Sequence, residues 1–175
     1  MQYIKDKYIY PVVYESDLAN ISRKRLSQAK SDKIIVAGMS KMIEAVYDEG
    51  STIAGKSTSI ILGNTNELKY LLAIINSKLA TFFVHTAYNS LKMAGGFINI
   101  GVREIENIPI PKKPTNYQLI VKLVDTIHVK KKSNPQADTS SEEQQIDHLV
   151  YHLYGLSYDE VLIIDPSTPI TKEEY

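Results

Sequence analysis

The sequence contains no cysteine among its 175 residues. This absence excludes a disulfide-bonded scaffold, a thiolate metal site and a cysteine nucleophile. Long hydrophobic stretches are also missing, since the longest apolar run extends only from Tyr70 to Ile75 and is too short to span a membrane. The N-terminus, MQYIKDKYIY, lacks the apolar stretch of a signal peptide. These absences predict a soluble cytoplasmic protein.

No single sign of charge dominates the chain, which has 20 basic and 20 acidic side chains. The balance is nevertheless uneven. Residues 1–133 carry 19 Lys or Arg against 11 Asp or Glu, whereas residues 134–175 carry 1 against 9. A positively charged body suits a polyanionic partner such as nucleic acid. The same distribution fits a solvated basic surface with an acidic tail folded back on it, and charge alone does not separate the two interpretations.

The first 65 residues have mostly the patterns of β-strands. Apolar residues make up 43% of the chain, enough for the core of one domain, or of one domain with an appendage. Strand patterns occur at residues 8–14, 33–38, 42–50 and 58–63. The polar, basic segment between the first two strands is predicted to be a loop with room for one short helix.

The apolar period becomes helical after Asn66, which is the predicted N-cap. The pattern fits one helix, or two helices broken near Asn76-Ser77. Residues 90–96 are predicted to form a flexible loop, followed by a short strand in GFINI and one helical turn at 102–106. The apolar side chains that form this pattern, spaced three or four residues apart, are Leu68, Leu71, Leu72, Ile75, Leu79, Phe82 and Phe83.

The last third is predicted to be helical. A helix over residues 117–132 is followed by a linker, and Thr139 or Ser140 caps a second helix that ends near Gly155. A capping box at residues 157–160 opens a third, short helix. The apolar side of the first helix comprises Leu119, Ile120, Leu123, Val124 and Ile127, and that of the second comprises Ile146, Leu149, Val150 and Leu153.

The predicted fold class is therefore α+β. A mixed, mainly antiparallel β body with an amphipathic helix or helix pair is followed by a C-terminal helical segment. The expected division is an α+β domain at 1–115, a helical segment at 116–165 with its linker at 133–141, and a disordered tail at 166–175.

One motif suggests nucleotide chemistry. Residues 50–57 fit the phosphate-binding pattern G-x-x-x-x-G-K-[ST]. Such a loop needs a helix beginning at Lys56-Ser57, so that backbone N–H groups face the phosphates. The β-branched residues that follow favour a strand, so we predict a hairpin turn with Lys56 exposed. A small nucleotide-binding enzyme stays as an alternative, which a helix at Lys56 would support and a strand would remove.

Other chemical constellations are weak. Asp48, Glu67 and Lys69 imitate the spaced acids and lysine of metal-dependent nucleases, although a first-turn helix position already explains Glu67. His148 and His152 lie four residues apart, but the glutamate of a zinc protease is missing between them. The chain has no Pro-Pro pair and so lacks the Asn-Pro-Pro-Tyr-type loop of adenine methyltransferases. We therefore expect no catalytic residue, no cofactor site and no metal site in this chain.

A family resemblance is carried by three segments in this order: KIIVAGMSKMIEAVYDEG, YLLAIINSKLATFFV and GGFINIGVREIENIPIP. Together they resemble the C-terminal target-recognition (specificity) domain of Taq-type adenine-specific DNA methyltransferases and of fused type II restriction–modification enzymes. Residues 71–79 and 108–111 are the most specific pieces, and residues 146–165 are similar to the helical coda of the fused enzymes. The resemblance covers roughly residues 30–165, and the first 30 residues match little.

The resemblance implies a sequence-specific DNA-recognition module of a bacterial restriction–modification or phage-defence DNA methyltransferase. Its partners would be double-stranded DNA and the methyltransferase or nuclease domains of the parent chain, with no membrane. The chain itself would not be an enzyme and would hold no cofactor. The parent would be an adenine-specific DNA methyltransferase or restriction endonuclease that uses S-adenosylmethionine, and Mg²⁺ if it cleaves DNA.

Basic loop residues are the expected DNA contacts, because Lys and Arg neutralise phosphates, while Arg reads guanine and Asn or Gln reads adenine. The resemblance supplies no base-reading residue, since these differ with the recognised sequence. An alternative is a protein-interaction module that uses the helices at 117–132 and 141–154. The expected DNA-binding residues are Arg23, Lys24, Arg25, Lys30, Lys41, Lys56, Asn89, Lys92 and Arg103.

Overall fold

The computed structural model describes residues 15–112 and 114–175, so the strand predicted at residues 8–14 lies outside the described part. The fold is α+β, as predicted, with antiparallel strands in the first half and helices in the second. No described helix is both long and apolar enough to cross a lipid bilayer. Short 3₁₀ turns lie at Glu15–Asn20, Asn89–Leu91 and Ala94–Gly96. The other elements are α1 (Arg23–Ala29), β1 (Asp32–Ala37), β2 (Met39–Ser40), β3 (Ala45–Glu49), β4 (Thr58–Leu62), α2 (Thr65–Asn76), α3 (Lys78–Ala87), β5 (Ile98–Asn99), α4 (Val102–Glu106), α5 (Tyr117–Ser133), α6 (Ser140–Leu153) and α7 (Tyr158–Ile164).

A three-stranded antiparallel sheet with the order β3-β1-β4 forms the centre of the first half. Ile34, Val36 and Ala45 are completely buried on the face that α2 covers. Because β3 and β4 both run antiparallel to β1, they run parallel to each other. Residues 50–57, here called the crossing segment, therefore pass from one end of the sheet to the other. They do so on the face opposite α2, where Lys33 points.

The helical stripe of the middle third divides into two helices that break at Ser77. The buried side chain of Asn76 fixes the break, since its amide accepts a hydrogen bond from the N–H of Ala45 and donates one to the carbonyl of Ala45, both at 2.9 Å. The Ser77 hydroxyl then caps α3 by accepting from the N–H of Ala80 at 3.1 Å. The Asn76-Ser77 pair thus has a structural role, tying the end of α2 to the sheet.

The predicted start of α2 is wrong. The N-cap is Asn64, not Asn66, and its side chain accepts a hydrogen bond from the N–H of Glu67 at 3.1 Å. Asn64 and Asn66 are both suitable N-cap residues by type, and the apolar spacing alone does not distinguish between them.

The C-terminal helices complete the hydrophobic core. α5 packs against α2, α6 against α5 and α3, and α7 against α3. Leu119, predicted to be on the apolar side of α5, is 48% exposed, whereas Val121 is buried. The two long helices, α5 and α6, pack against each other. The domain boundary at residue 115 stays a prediction. The buried members of the stripes are Ile120, Leu123, Val124, Ile127, Ile146 and Val150.

Two segments expected to lack regular structure make defined contacts. Residues 90–96, predicted as a flexible loop, overlap two 3₁₀ turns. Residues 166–175, expected to be a disordered tail, return to the helices in the structure. There the Tyr175 ring stacks on His152 with centroids 4.3 Å apart, and the Tyr175 hydroxyl donates to the Leu156 carbonyl at 2.6 Å.

A buried carboxylate, that of Asp147, joins α6 to the start of α3. It is only 4% exposed and accepts a hydrogen bond from the backbone N–H of Lys78 at 3.0 Å. The Lys78 ammonium is turned toward a different acid, Asp165, at 2.6 Å. Burial raises the pKa of Asp147 to about 6, and the contacts with Lys78 only partly oppose this. Charged Asp147 is therefore unfavourable in the folded state.

Replacement of Asp147 by asparagine is expected to stabilise the protein above neutral pH by about 1–3 kcal/mol. A raised pKa means that the folded state holds the proton more tightly than the unfolded chain. The resulting stability is present below pH 4 and is lost as the pH rises through 6. The substituted amide would stay neutral at every pH and could still accept from the Lys78 N–H. Urea unfolding of both proteins at pH 5 and pH 8 measures this difference.

The matched control is Asp159→Asn on the exposed surface of α7, which should change stability by no more than about 0.5 kcal/mol. A loss of stability in Asp147→Asn at both pH values would show that the negative charge itself is needed at the start of α3.

Candidate nucleic-acid interface

The predicted basic segment around α1 lines a cleft on the outer face of the sheet. The cleft has a volume of about 390 Å³ and lies between α1 and residues 54–58, with Lys33 and Ile60 of the sheet beneath. Lys24, Arg25 and Lys56 all line it, although they come from different elements. The fold thus concentrates positive charge in one concave place, where an anion can contact more than one cation.

The three predicted DNA-binding residues that line the cleft have different roles. The Arg25 guanidinium donates to the carbonyl of Ala54 at 2.9 Å and so holds α1 to the crossing segment. Lys24 and Lys56 are exposed, and neither forms an ion pair or hydrogen bond with any residue in the described part of the chain. Arg25 therefore shapes the cleft, while the two lysines are available to an external anion.

The carboxylate of Asp48 holds the crossing segment in place. It accepts hydrogen bonds from the backbone N–H groups of residues 50–52 at 3.1, 3.1 and 3.2 Å, and from the hydroxyls of Ser51 and Thr52 at 2.8 and 2.7 Å. It also pairs with the ammonium of Lys33, which is 1% exposed. Burial would raise the pKa of Asp48, but the hydrogen bonds and the Lys33 charge outweigh it and lower that pKa to about 2.

A second surface is formed by β2 and β5, here called the ribbon. The two strands pair antiparallel with Met39 opposite Asn99 and Ser40 opposite Ile98. Ser40 and Ile98 are buried, whereas Met39 is 55% exposed and Asn99 is also exposed. The ribbon therefore has one face in the core and one face in solvent, as alternation along a strand requires.

The outward face of the ribbon is both cationic and apolar. The Lys41 ammonium lies over the ring of Phe97, 5.5 Å from its centroid. Met93 is 50% exposed beside them, and its N–H donates to the Phe97 carbonyl at 2.7 Å. Lys92, which is also exposed, is the bridge partner of Ile98 along the other edge of β5, so it lies beside the ribbon and its side chain starts from the side of the buried Ile98.

Gly38 connects the cleft to the ribbon. Its N–H donates to the carbonyl of Ser57 in the crossing segment, and its own carbonyl accepts from the N–H of Ile100 after β5, both at 2.9 Å. A Cβ at this position would lie 2.6 Å from the Ser57 oxygen, so no larger residue fits without a backbone shift. The two surfaces are therefore joined by main-chain hydrogen bonds at one end of the sheet.

The structure divides the predicted DNA-binding residues into several groups. Arg23 and Lys30 are exposed on or next to α1 but do not line the cleft. Asn89 lies in the 3₁₀ turn before Lys92, and Arg103 is exposed on α4. Lys24, Arg25 and Lys56 line the cleft, whereas Lys41 lies over Phe97 of the ribbon and Lys92 lies along the other edge of β5.

Sequence reasoning missed the outward residues Met39, Phe97 and Asn99. The strand in GFINI was predicted, but its partner Met39–Ser40 is only two residues long and gives no periodic signal. The available indication was the alternation of GFINI itself, which predicts that Phe97 and Asn99 share one face.

The acidic C-terminal segment leaves the cleft and the ribbon free. Among the described residues, its ion pairs join Asp165 to Lys78 and Glu142 to Lys130, at 2.6 and 2.5 Å. Both lysines lie outside the predicted set. The folded-back acidic segment therefore neutralises other parts of the basic body.

The phosphate-binding motif lacks its helix. The chain makes a turn at Lys56-Ser57 and enters β4 at Thr58, so no helix N-terminus faces the loop. Gly50 has a φ of +81°, and a Cβ there would lie 2.6 Å from the Lys30 carbonyl oxygen, so this glycine is required by the turn itself. The nucleotide-binding alternative required a helix beginning at Lys56, and the turn and strand found there remove it.

Gly50→Ala is expected to destabilise the protein by at least about 1–2 kcal/mol, because alanine strains at this φ and meets the Lys30 carbonyl. Gly55→Ala is the matched control, since a Cβ there would have no atom within 4 Å and the stability should change by less than about 1 kcal/mol. Thermal melts of both variants measure the difference. Thermal stabilisation by ATP and Mg²⁺ that Gly55→Ala abolishes would contradict this structural interpretation of the motif.

The other residues singled out as weak chemical constellations have defined partners in the structure. Asp48 is saturated by hydrogen bonds, and Lys69 pairs with Asp125 at 2.5 Å. The imidazole Nε2 atoms of His148 and His152 are 2.6 Å apart. No group of three or more His, Cys, Asp or Glu that could hold a metal ion occurs among the residues described.

Comparison with known proteins identifies the family. The sequence pattern of the family described as "TaqI-like C-terminal specificity domain" matches residues 2–110, more than half of the chain, and so includes the N-terminal 30 residues that the resemblance did not cover. The chain is also 25% identical over 154 residues, 88% of its length, to the type II methyltransferase M.XhoI of Xanthomonas vasicola. It spans 26% of that relative's length. The chain belongs to the family of TaqI-like C-terminal specificity domains.

Proposed function

We propose that this chain is the sequence-specific DNA-recognition module of a bacterial restriction–modification or phage-defence DNA methyltransferase. It holds duplex DNA in position for catalytic domains that are not part of it. The observation that carries the proposal is the cationic cleft: Lys24 and Lys56 face it without a partner in the described chain, in a domain of the specificity family. A concave surface that presents unpaired cations suits a phosphate backbone.

The cleft and the ribbon suit two different parts of a duplex. Phosphate contacts give affinity and fix orientation, whereas base contacts give specificity. Lys24 and Lys56 supply the first kind of contact. The ribbon is narrow and two-stranded, which is a shape that the major groove of B-DNA admits. Gly38 joins the two surfaces through main-chain hydrogen bonds, and in this proposal one duplex contacts both of them.

The alternative of a free protein-interaction module has less support. Its two helices, α5 and α6, bury their apolar sides against each other and against α2 and α3. What stays exposed on the C-terminal helices is scattered, as with Val129 and Ile163. Such single apolar side chains are common on monomeric surfaces.

Methyl transfer belongs to other domains of the parent in this proposal. The parent uses S-adenosylmethionine to methylate adenine, and Mg²⁺ if it also cleaves DNA. The sequence has no Asn-Pro-Pro-Tyr-type catalytic loop, and the described residues offer no cluster of metal ligands. We assign no catalytic step to them.

The experiment is a selection from a pool of duplexes with a randomised centre, at about 50 mM salt, followed by affinity measurement on the enriched sequence. We expect one short sequence to be enriched and its affinity to fall steeply as salt rises. Undetectable binding at low salt would overturn the proposal. Binding without any enriched sequence would overturn its sequence-specific part.

A further inference from the structure

Asn99 occupies an unusual position for an exposed amide. It lies in the middle of the ribbon's outward face, directly opposite Met39. Its side chain makes no hydrogen bond with any residue in 15–112 or 114–175. Both the amide donor and the amide acceptor are therefore open to an external group, in a place where the buried Ser40 and Ile98 hold the backbone still.

The surroundings of Asn99 define the chemistry of what covers it. Lys41 and Phe97 lie together next along the ribbon, and Lys92 reaches it from the other side of β5. No described carboxylate pairs with Lys41 or Lys92. An exposed amide between apolar side chains, flanked by free cations, matches the edge of a base pair between two phosphate backbones.

We infer that the outward face of the ribbon enters the major groove and that the Asn99 amide reads an adenine there. An asparagine amide can donate to adenine N7 and accept from the adenine N6 amino group in one plane, a bidentate pattern that no other base pair offers in the same way. Met39, across the ribbon, contacts the methyl group of a thymine, while Lys41, on the same face, binds a flanking phosphate. The inference rests on the proposed function and names the residue that supplies its specificity.

The test uses the full chain, the sequence selected by the wild-type protein, and a set of duplexes that each change one base pair. In wild type, one A·T pair should be strongly preferred. In Asn99→Ala the preference at that pair should fall by about 5- to 100-fold, while the other positions keep their preferences. Affinity for random-sequence duplex should stay within about 2-fold, because the phosphate contacts are intact.

Asn66→Ala is the matched control. Asn66 is an exposed asparagine in the first turn of α2 and lies far from the ribbon. Its neighbour Thr65 donates a hydrogen bond to Asp32, which is at the end of β1 opposite the ribbon. The Asn66→Ala substitution should leave every base preference unchanged. Thermal melts should show both variants as stable as wild type, since both side chains are exposed.

Three outcomes would overturn the inference while leaving DNA binding intact. The base preferences of Asn99→Ala could equal those of wild type at every position. Its affinity could fall equally for all sequences, which would indicate a phosphate contact. The variant could instead weaken only the association with a separately added catalytic domain. Failure of the wild-type chain to bind DNA is a different result, because it would overturn the proposed function itself.

Discussion

Replacing Lys24 and Lys56 together by glutamine is expected to weaken binding to duplex DNA by roughly 10- to 100-fold at about 0.1 M salt. Both ammonium groups line the cleft and neither has a partner among the described residues. Each phosphate contact releases close to one condensed counterion, so the slope of log affinity against log salt should fall by about 2. Fluorescence anisotropy over a series of salt concentrations measures both quantities.

The control for this prediction removes the same charge elsewhere. Lys122 and Lys172 are exposed and lie in α5 and in the C-terminal segment, so Lys122→Gln/Lys172→Gln keeps the net charge equal to that of the cleft variant. It should keep most of the affinity and the wild-type salt slope. Equal losses in both double variants would mean that only the overall charge matters and that the cleft is no specific phosphate site.

Asp48→Ala is expected to reduce the free energy of unfolding by about 3–5 kcal/mol. The substitution leaves the ammonium of Lys33 buried without a countercharge and removes the acceptor for the N–H groups of residues 50–52. Since the pKa of Asp48 is lowered to about 2, its contribution is complete above pH 4 and is lost as the pH falls toward 2. Urea unfolding at pH 7 and at pH 3 should therefore show a larger difference from wild type at pH 7.

The neighbouring acid provides the comparison. Glu49 pairs with Lys132 at 2.7 Å, but its side chain is 51% exposed, so Glu49→Gln should cost no more than about 1 kcal/mol. If Asp48→Ala cost as little as Glu49→Gln, the buried pair would not be what holds the crossing segment over the sheet. The cleft would then need another explanation for its shape.

Local patterns predicted most of the elements because each has a short-range physical cause. The apolar run at 33–38 favoured a buried strand, and the stripe of α2 and α3 fitted one helix or two helices broken near Asn76-Ser77. The positive φ of Gly155 follows from its place after α6. By contrast, the pairing of β1 with both β3 and β4 depends on contacts between distant residues, which no local pattern reports.

The basic residues of the candidate interface could be named from the sequence, but their positions relative to one another could not. Lys24 and Lys56 are separated by 31 intervening residues, and only the path of the crossing segment brings them to one cleft. The buried Lys33–Asp48 pair was not foreseen, because a lysine and an aspartate in strands resemble surface residues until their pairing is known. The weak likeness of Asp48 to a nuclease acid rested on spacing alone, which does not reveal its five hydrogen bonds to residues 50–52.

The alternation of the ribbon also bears on how such a domain can diverge. The side chains of Ser40 and Ile98 are buried in the core, whereas those of Met39 and Asn99 are exposed on the outward face. Exchanging the outward pair is therefore expected to change stability little. If this pair reads bases as inferred above, substitutions at two positions would change the preferred sequence while the buried pair continues to hold the ribbon in the core.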